Sequence, residues 1–187
     1  MTDDEFDVDA LERALSEAGE APGSSETAQG ADPERTEGTF LVTHAEEESA
    51  VLREVSTGRV LTLSENPGVE AEEAIEGVLA PEPPMNVTWE LVEVAERRTL
   101  SLAEGEEPPT RDSLDTAAEQ EVGELTRTER AGVGELHVVT VPEERTERAV
   151  ADVLGDREAT LARAARLGVN RVEVRSAPGV VVVRYLP

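Results

Sequence analysis

The chain has 187 residues, 42 acidic and 17 basic side chains, no cysteine, and a formal net charge of -25. All 17 basic residues are arginine. Without lysine there is no P-loop lysine, Schiff base or lysine general base, and without cysteine no thiol nucleophile, disulfide or thiolate metal site.

Residues 1–37 read as an acidic, disordered tail. From 19 to 38 the run GEAPGSSETAQGADPERTEG offers almost nothing to bury. Ahead of it, Phe6, Val8, Leu11 and Leu15 fall on one helical face, with Asp7 or Asp9 as N-cap, so a short helix is expected at 7–18. An amphipathic helix on a tether is a common partner-docking form, although helices this short are marginal alone.

Residues 38–103 read as strands and turns. The first strand covers 39–43 (TFLVT); strands 50–55 and 59–63 are joined by Ser56-Thr57-Gly58, a hairpin with glycine placed for positive φ. Asn66-Pro67-Gly68 marks a turn, 74–79 is a fourth strand, and after Pro81-Glu82-Pro83-Pro84 a long strand runs from 87 to 102. Trp89, Leu91, Val92 and Val94 give that strand its apolar content. Five short strands in this length fit a small antiparallel β-barrel, OB-like or SH3-like.

Residues 104–109 read as a linker, and 110–187 as an α+β domain. Thr110 caps a helix expected at 111–130, whose stripe is Leu114, Ala117, Ala118, Val122 and Leu125; Gly132 and Gly134 end it. A strand follows at 136–141, a helix beginning at Pro142, and a second helix at 157–167. A half-buried strand at 169–175 leads through Pro178-Gly179 into 180–186, an almost unbroken apolar strand expected at the centre of its sheet. The expected order is α-β-α-α-β-β, so the fold class is α+β.

The periodic Val/Leu segments argue against a wholly disordered acidic chain. The alternative is adaptation to molar salt, where hydrated carboxylates keep the surface soluble and ions screen self-repulsion. Lysine is the cation such a proteome would shed first, so its absence beside 33 Glu favours a halophilic protein in high intracellular salt. The N-terminus shows no basic region followed by an apolar core, and no apolar stretch is long enough to span a membrane, so a cytoplasmic location is expected.

The runs GTFLVTH (38–44), LTLSENPG (61–68), LAPEPPM (79–85) with Thr88-Trp89, HVVTVPEERTE (137–147) and RVEVR with RYLP (171–187) resemble a family of haloarchaeal proteins of unknown function over residues 38–187. The resemblance implies a halophilic archaeal cytosol and transfers no catalytic residue.

Candidate chemistry is sparse. His44, beside Glu46, Glu47 and Glu48, has the residue types of a base or metal site, but no second ligand stands at helical spacing. His137 alternates within a strand and reads as packing or surface. Gly132-Val133-Gly134 precedes a strand rather than following one, so it is a helix stop, not a dinucleotide loop. No catalytic residue, metal or cofactor is assigned.

Arginine is distributed unevenly. Residues 157–187 carry Arg157, Arg163, Arg166, Arg171, Arg175 and Arg184 against Glu158 and Glu173, a local reversal of sign in an acidic chain. Arg163, Arg166, Arg171, Arg175 and Arg184 either form a contact surface for phosphates or an acidic partner, or pair internally with the Glu-rich helices; internal pairing is preferred. If the ligand is RNA, only Trp89 and Tyr185 could serve for stacking, with the barrel face near Trp89 as the alternative surface. The expected function is a non-enzymatic binding or adaptor protein that docks protein partners, with an RNA-binding protein and an enzyme built on His44 as alternatives.

Overall fold

The structure, a computed structural model, describes residues 35–187. The short helix expected at 7–18 and nearly all of the expected tail lie outside the described residues, while Thr36 and Glu37 already belong to the first strand.

Five strands close a barrel. β1 (Thr36–Ala45), β2 (Ala50–Glu54), β3 (Val60–Leu63), β4 (Glu73–Pro81) and β5 (Trp89–Thr99) lie in the order β1-β2-β3-β5-β4, with β4 returning to β1. Four junctions are antiparallel, but β3 meets β5 in parallel at Leu63 and Trp89, so the barrel is not wholly antiparallel as expected. Inward alternation fills it: Phe40 and Val42, Ala50 and Leu52, Leu61 and Leu63, Ile75 and Leu79, with Trp89 at the β3–β5 seam. At Gly77 a Cβ would collide with the Glu93 carbonyl, so only glycine admits the close approach of β5 beside its bulges.

The consecutive run Phe40-Leu41-Val42 is buried throughout, although alternation should turn Leu41 outward. It does point outward, into a second core. Leu41, Val55 and Ala74 from the outside of the barrel pack with Leu100, Val139, Leu161, Val183 and Tyr185. Burial on both faces explains the unbroken apolar run of these three residues.

That second core belongs to a five-stranded sheet ordered β6-β9-β10-β8-β7. Its strands are β6 (Ser101–Glu104), β7 (Leu125–Glu129), β8 (Glu135–Thr140), β9 (Arg171–Ala177) and β10 (Val180–Leu186). Helices α2 (Thr146–Gly155) and α3 (Arg157–Arg166) cover one face, and the short α1 (Arg111–Ala118) covers the other through Ala117, Val138 and Val182. As expected, β10 is the central strand and Thr110 caps α1, its hydroxyl accepting from Ser113 N–H at 3.4 Å. No helix among the described residues is long and apolar enough to cross a membrane.

Two elements differ from expectation. The strand expected at 87–102 is divided at Leu100: β5 stays in the barrel, and β6 crosses to pair in parallel with β9. Backbone bonds make the switch, with Leu100 N–H donating to Glu72 O and Ser101 N–H to Asn170 O, both at 2.9 Å. The helix expected at 111–130 ends at Ala118, and residues 125–129 form β7. Gln120 donates to the carbonyls of Glu124 and Val138 at 2.9 and 3.3 Å, and Gly123, at φ 91, donates to Thr140 O at 2.7 Å. These bonds turn the chain onto β8, where the β-branched Thr126 and Thr128 favour a strand. Val122, on the supposed stripe, is exposed. From β6 onward the order is therefore β-α-β-β-α-α-β-β.

Candidate functional site

The arginines singled out in the sequence are spread over both faces of the second sheet, and most are engaged. Arg163 on α3 donates to Glu135 through Nε at 3.1 Å and Nη2 at 2.6 Å. Arg166, one turn on, reaches the barrel and donates Nε to Val55 O at 3.2 Å. Arg175 pairs with Glu173 and, at 2.7 Å, with Glu107, while Arg184 donates to Glu173 at 2.8 Å. Burial pushes the Glu173 carboxyl up, but hydrogen bonds from Arg175 and Arg184 hold it below its usual range. Arg171 stands exposed at the start of β9. Outside that set, Arg157 clamps Glu72 of the barrel at 2.6 and 2.8 Å, lowering the Glu72 pKa by that hydrogen bond. Together with Arg53–Glu158 and the bonds from Arg98 to the carbonyls of Ala165 and Val169, these contacts fasten barrel to sheet.

His44 and His137 have opposite environments. His44 is exposed, and its Nε2 lies 3.2 Å from Glu46. His137 is fully buried, its Nε2 2.8 Å from the Glu135 oxygen that also receives Arg163, while Nδ1 has no hydrogen-bond partner. Tyr185 lies beside it with ring centroids 5.0 Å apart, and the Arg163 guanidinium lies 5.9 Å from the Tyr185 ring. Burial drives the His137 pKa down to about 4, against the pull of Glu135, and raises Tyr185 to about 12. For Glu135, burial acts upward but the bonds from His137 and Arg163 prevail and lower it. The network is a largely buried clamp between β8 and α3. Among the described residues no group of three or more His, Cys, Asp or Glu could hold a metal ion.

Trp89 is not on the surface. It is 8% exposed, part of the barrel core, and capped by the Arg59 guanidinium at 4.5 Å from the ring centroid. That contact locates a surface the sequence reading missed. Because β3 and β5 are parallel, the start of β3 and the β4–β5 turn share one end of the barrel. The turn is fixed by its own bonds: Glu82 N–H to Thr88 O and Asn86 N–H to Glu82 O, both 2.9 Å, and the Thr88 hydroxyl to the Glu82 carboxylate at 2.8 Å. It presents Met85 and Val87, 74% and 66% exposed, and Val60 at the start of β3 is 56% exposed. The signal in the sequence was Met85 and Val87 flanking Asn86 directly after Pro83-Pro84, apolar residues in a turn too short to bury them.

The far end of the barrel differs. There Glu46, Glu47 and Glu48 are exposed between β1 and β2, and the Asn66 amide donates to Glu46 O at 2.7 Å. Beside them is a shallow open depression of about 390 Å³ lined by Ala45, Asn66, Gly68, Val69 and Glu70.

The described residues form a closed five-stranded barrel joined to an α+β sheet, with Val60, Met85 and Val87 exposed at one barrel end. Residues 36–176 match the model of DUF5812, a family of unknown function, and the chain belongs to that family. The match begins with β1 and stops before β10, although β10 completes the sheet. No curated protein and no solved structure matches the chain.

Proposed function

We propose that this protein is a non-enzymatic binding protein that docks a protein partner on the barrel end formed by Val60, Met85 and Val87. The observation that carries this reading is the exposure of Met85 and Val87 on a turn fixed by its own hydrogen bonds, at the barrel end where Val60 is also exposed at the start of β3. A preordered apolar knob loses little freedom on binding. Residues 38–103 carry a net charge of -9, so the partner is expected to present apolar contacts within a neutral or basic rim.

The strand order, with its parallel β3–β5 junction, supports an OB-type barrel, a type whose β2–β3 face and neighbouring loops often bind oligonucleotides. Here the β1–β2 loop is Glu46-Glu47-Glu48, which repels phosphate, and Arg163, Arg166, Arg175 and Arg184 are occupied within the chain. Those features favour protein over RNA as the partner. The acidic, lysine-free composition supports a halophilic, cytosolic setting of haloarchaeal type.

The test is co-purification of the tagged chain from its own molar-KCl lysate, with and without nuclease, beside Met85→Glu and Val87→Glu. A defined protein retained through nuclease and lost with either substitution supports the reading. Loss with nuclease transfers the function to RNA. Recovery of the bare chain in every sample overturns docking and makes His44 the residue to change next.

A further inference from the structure

We infer that the barrel end is capped by the chain's own N-terminal apolar residues, Phe6, Val8, Leu11 and Leu15, which a partner must displace. This rests on the barrel end being a docking surface, and it names the first occupant.

Three observations lead there. The first is where the chain enters. Thr36, the first residue of β1, pairs with Leu79, two residues before β4 ends at Pro81 and the turn bearing Met85 and Val87 begins. Residues 1–34 are therefore delivered at the apolar end of the barrel and not at the Glu46–Glu48 end. The second is reach. Between Leu15 and Thr36 lie residues 16–35, rich in Gly, Ser, Pro and Glu. A coil of that length has an end-to-end distance of about 25 Å, and extended it spans up to about 70 Å. Tethering at that scale gives an effective concentration of the order of millimolar, so even a weak contact is well populated.

The third is chemical match. Val8, Leu11 and Leu15 have the spacing of one helical face and Phe6 stands just ahead of it, while 16–35 offers no large apolar side chain. Val60, Met85 and Val87 are apolar groups of the size such a face covers, and docking leaves the acidic face in solvent. Both partners are acidic: residues 1–37 carry -10 and residues 38–103 carry -9. The contact must therefore tighten as salt rises, because screening removes the repulsion and apolar burial remains. Binding of arginine to phosphate would weaken instead.

The composition gives a clean experiment. The chain has two methionines, Met1 and Met85, and no cysteine. Methyl-labelled methionine therefore reports the patch through Met85, and Ser16→Cys is a unique attachment point for a nitroxide on the full-length chain. The inference expects the Met85 methyl signal to fall by more than half when the nitroxide is active, more so in molar KCl than in dilute buffer. It expects Leu11→Asp, carried on the same labelled chain, to restore most of the signal. Equal loss with Leu11→Asp would mean that tether proximity alone brings the label near, and would overturn capping. Loss found only between separately labelled chains in a mixture would assign the patch to a second copy and overturn it as well. The Leu11→Asp chain should also capture more partner from lysate. Capping without any captured partner would retain this inference and remove the proposed function.

Discussion

Glu135 is the residue on which the clamp between β8 and α3 turns. Its carboxylate receives His137 Nε2 and both the Nε and Nη2 of Arg163, and its side chain is 17% exposed. Replacing it by alanine leaves His137 with neither ring nitrogen satisfied, because Nδ1 already has no partner. An orphaned buried donor costs roughly 1–3 kcal/mol. The Arg163 guanidinium also loses its acceptor. For a fully buried pair that loss runs to about 3–5 kcal/mol, but Arg163 keeps contact with solvent, which reduces it substantially. The expected loss for Glu135→Ala is about 3 kcal/mol, or roughly 6–12 °C in Tm for a chain of this size. Urea unfolding followed by circular dichroism measures it as a lower midpoint at unchanged slope. Glu135→Gln keeps an acceptor and removes the charge, so it should fall between wild type and alanine. Because burial rather than long-range attraction sets the cost, the loss should persist in molar KCl. A change under about 0.5 kcal/mol, the size of an ordinary surface substitution, would refute the clamp.

Three further outcomes follow from the same cores. His137 titrates near 4 in the folded chain against 6.5 unperturbed, so the unfolded chain binds its proton first as pH falls. Stability should thus drop between about pH 6.5 and 4, by up to roughly 3 kcal/mol, and the pH dependence of His137→Phe should lack that contribution; superimposable slopes would rule it out. Tyr185, the sole tyrosine, should form phenolate near pH 12 when folded and near 10 in urea, read by ultraviolet absorbance; a native value near 10 would place the ring in solvent. Finally, Leu41→Ala sits on the outside of the barrel yet in the second core. It should cost about 2–4 kcal/mol and shift the fluorescence transition of Trp89 together with the far-ultraviolet transition of the sheet, whereas separated transitions would show that barrel and sheet unfold independently.

What the sequence revealed was local. Ser56-Thr57-Gly58 and Pro178-Gly179 make their hairpin turns with Gly58 at φ 74 and Gly179 at φ 81, and Thr110 caps its helix, because each of these depends only on neighbouring residues. The division at Leu100 was hidden, since no glycine, proline or other turn residue separates β5 from β6 and the partners that split them, Glu72 and Asn170, are distant in sequence. The extended helix at 111–130 failed for a similar reason. Its apolar spacing is real, but pairing with β8 lies outside any local window. The arginine-rich segment told only its net charge; that its acceptors are Glu135, Glu173 and the Val55 carbonyl required the fold. Val87 was read as the start of a strand, and the exposure of Met85 and Val87 was not legible, because it depends on what else covers the barrel end.

The position of β10 bears on how the molecule is made. It is the last strand of its sheet to leave the ribosome, yet it stands third of five, hydrogen-bonded to β8 on one side and β9 on the other. Until it emerges, the β7–β8 hairpin and the β6–β9 pair have nothing to join them, and the valine-rich inner edges of β8 and β9 are open to wrong partners. The barrel, whose strands all precede β6, is free of that wait. A growing chain therefore carries a barrel able to close beside half a sheet, and Val180–Leu186 is the stretch whose arrival locks the two together.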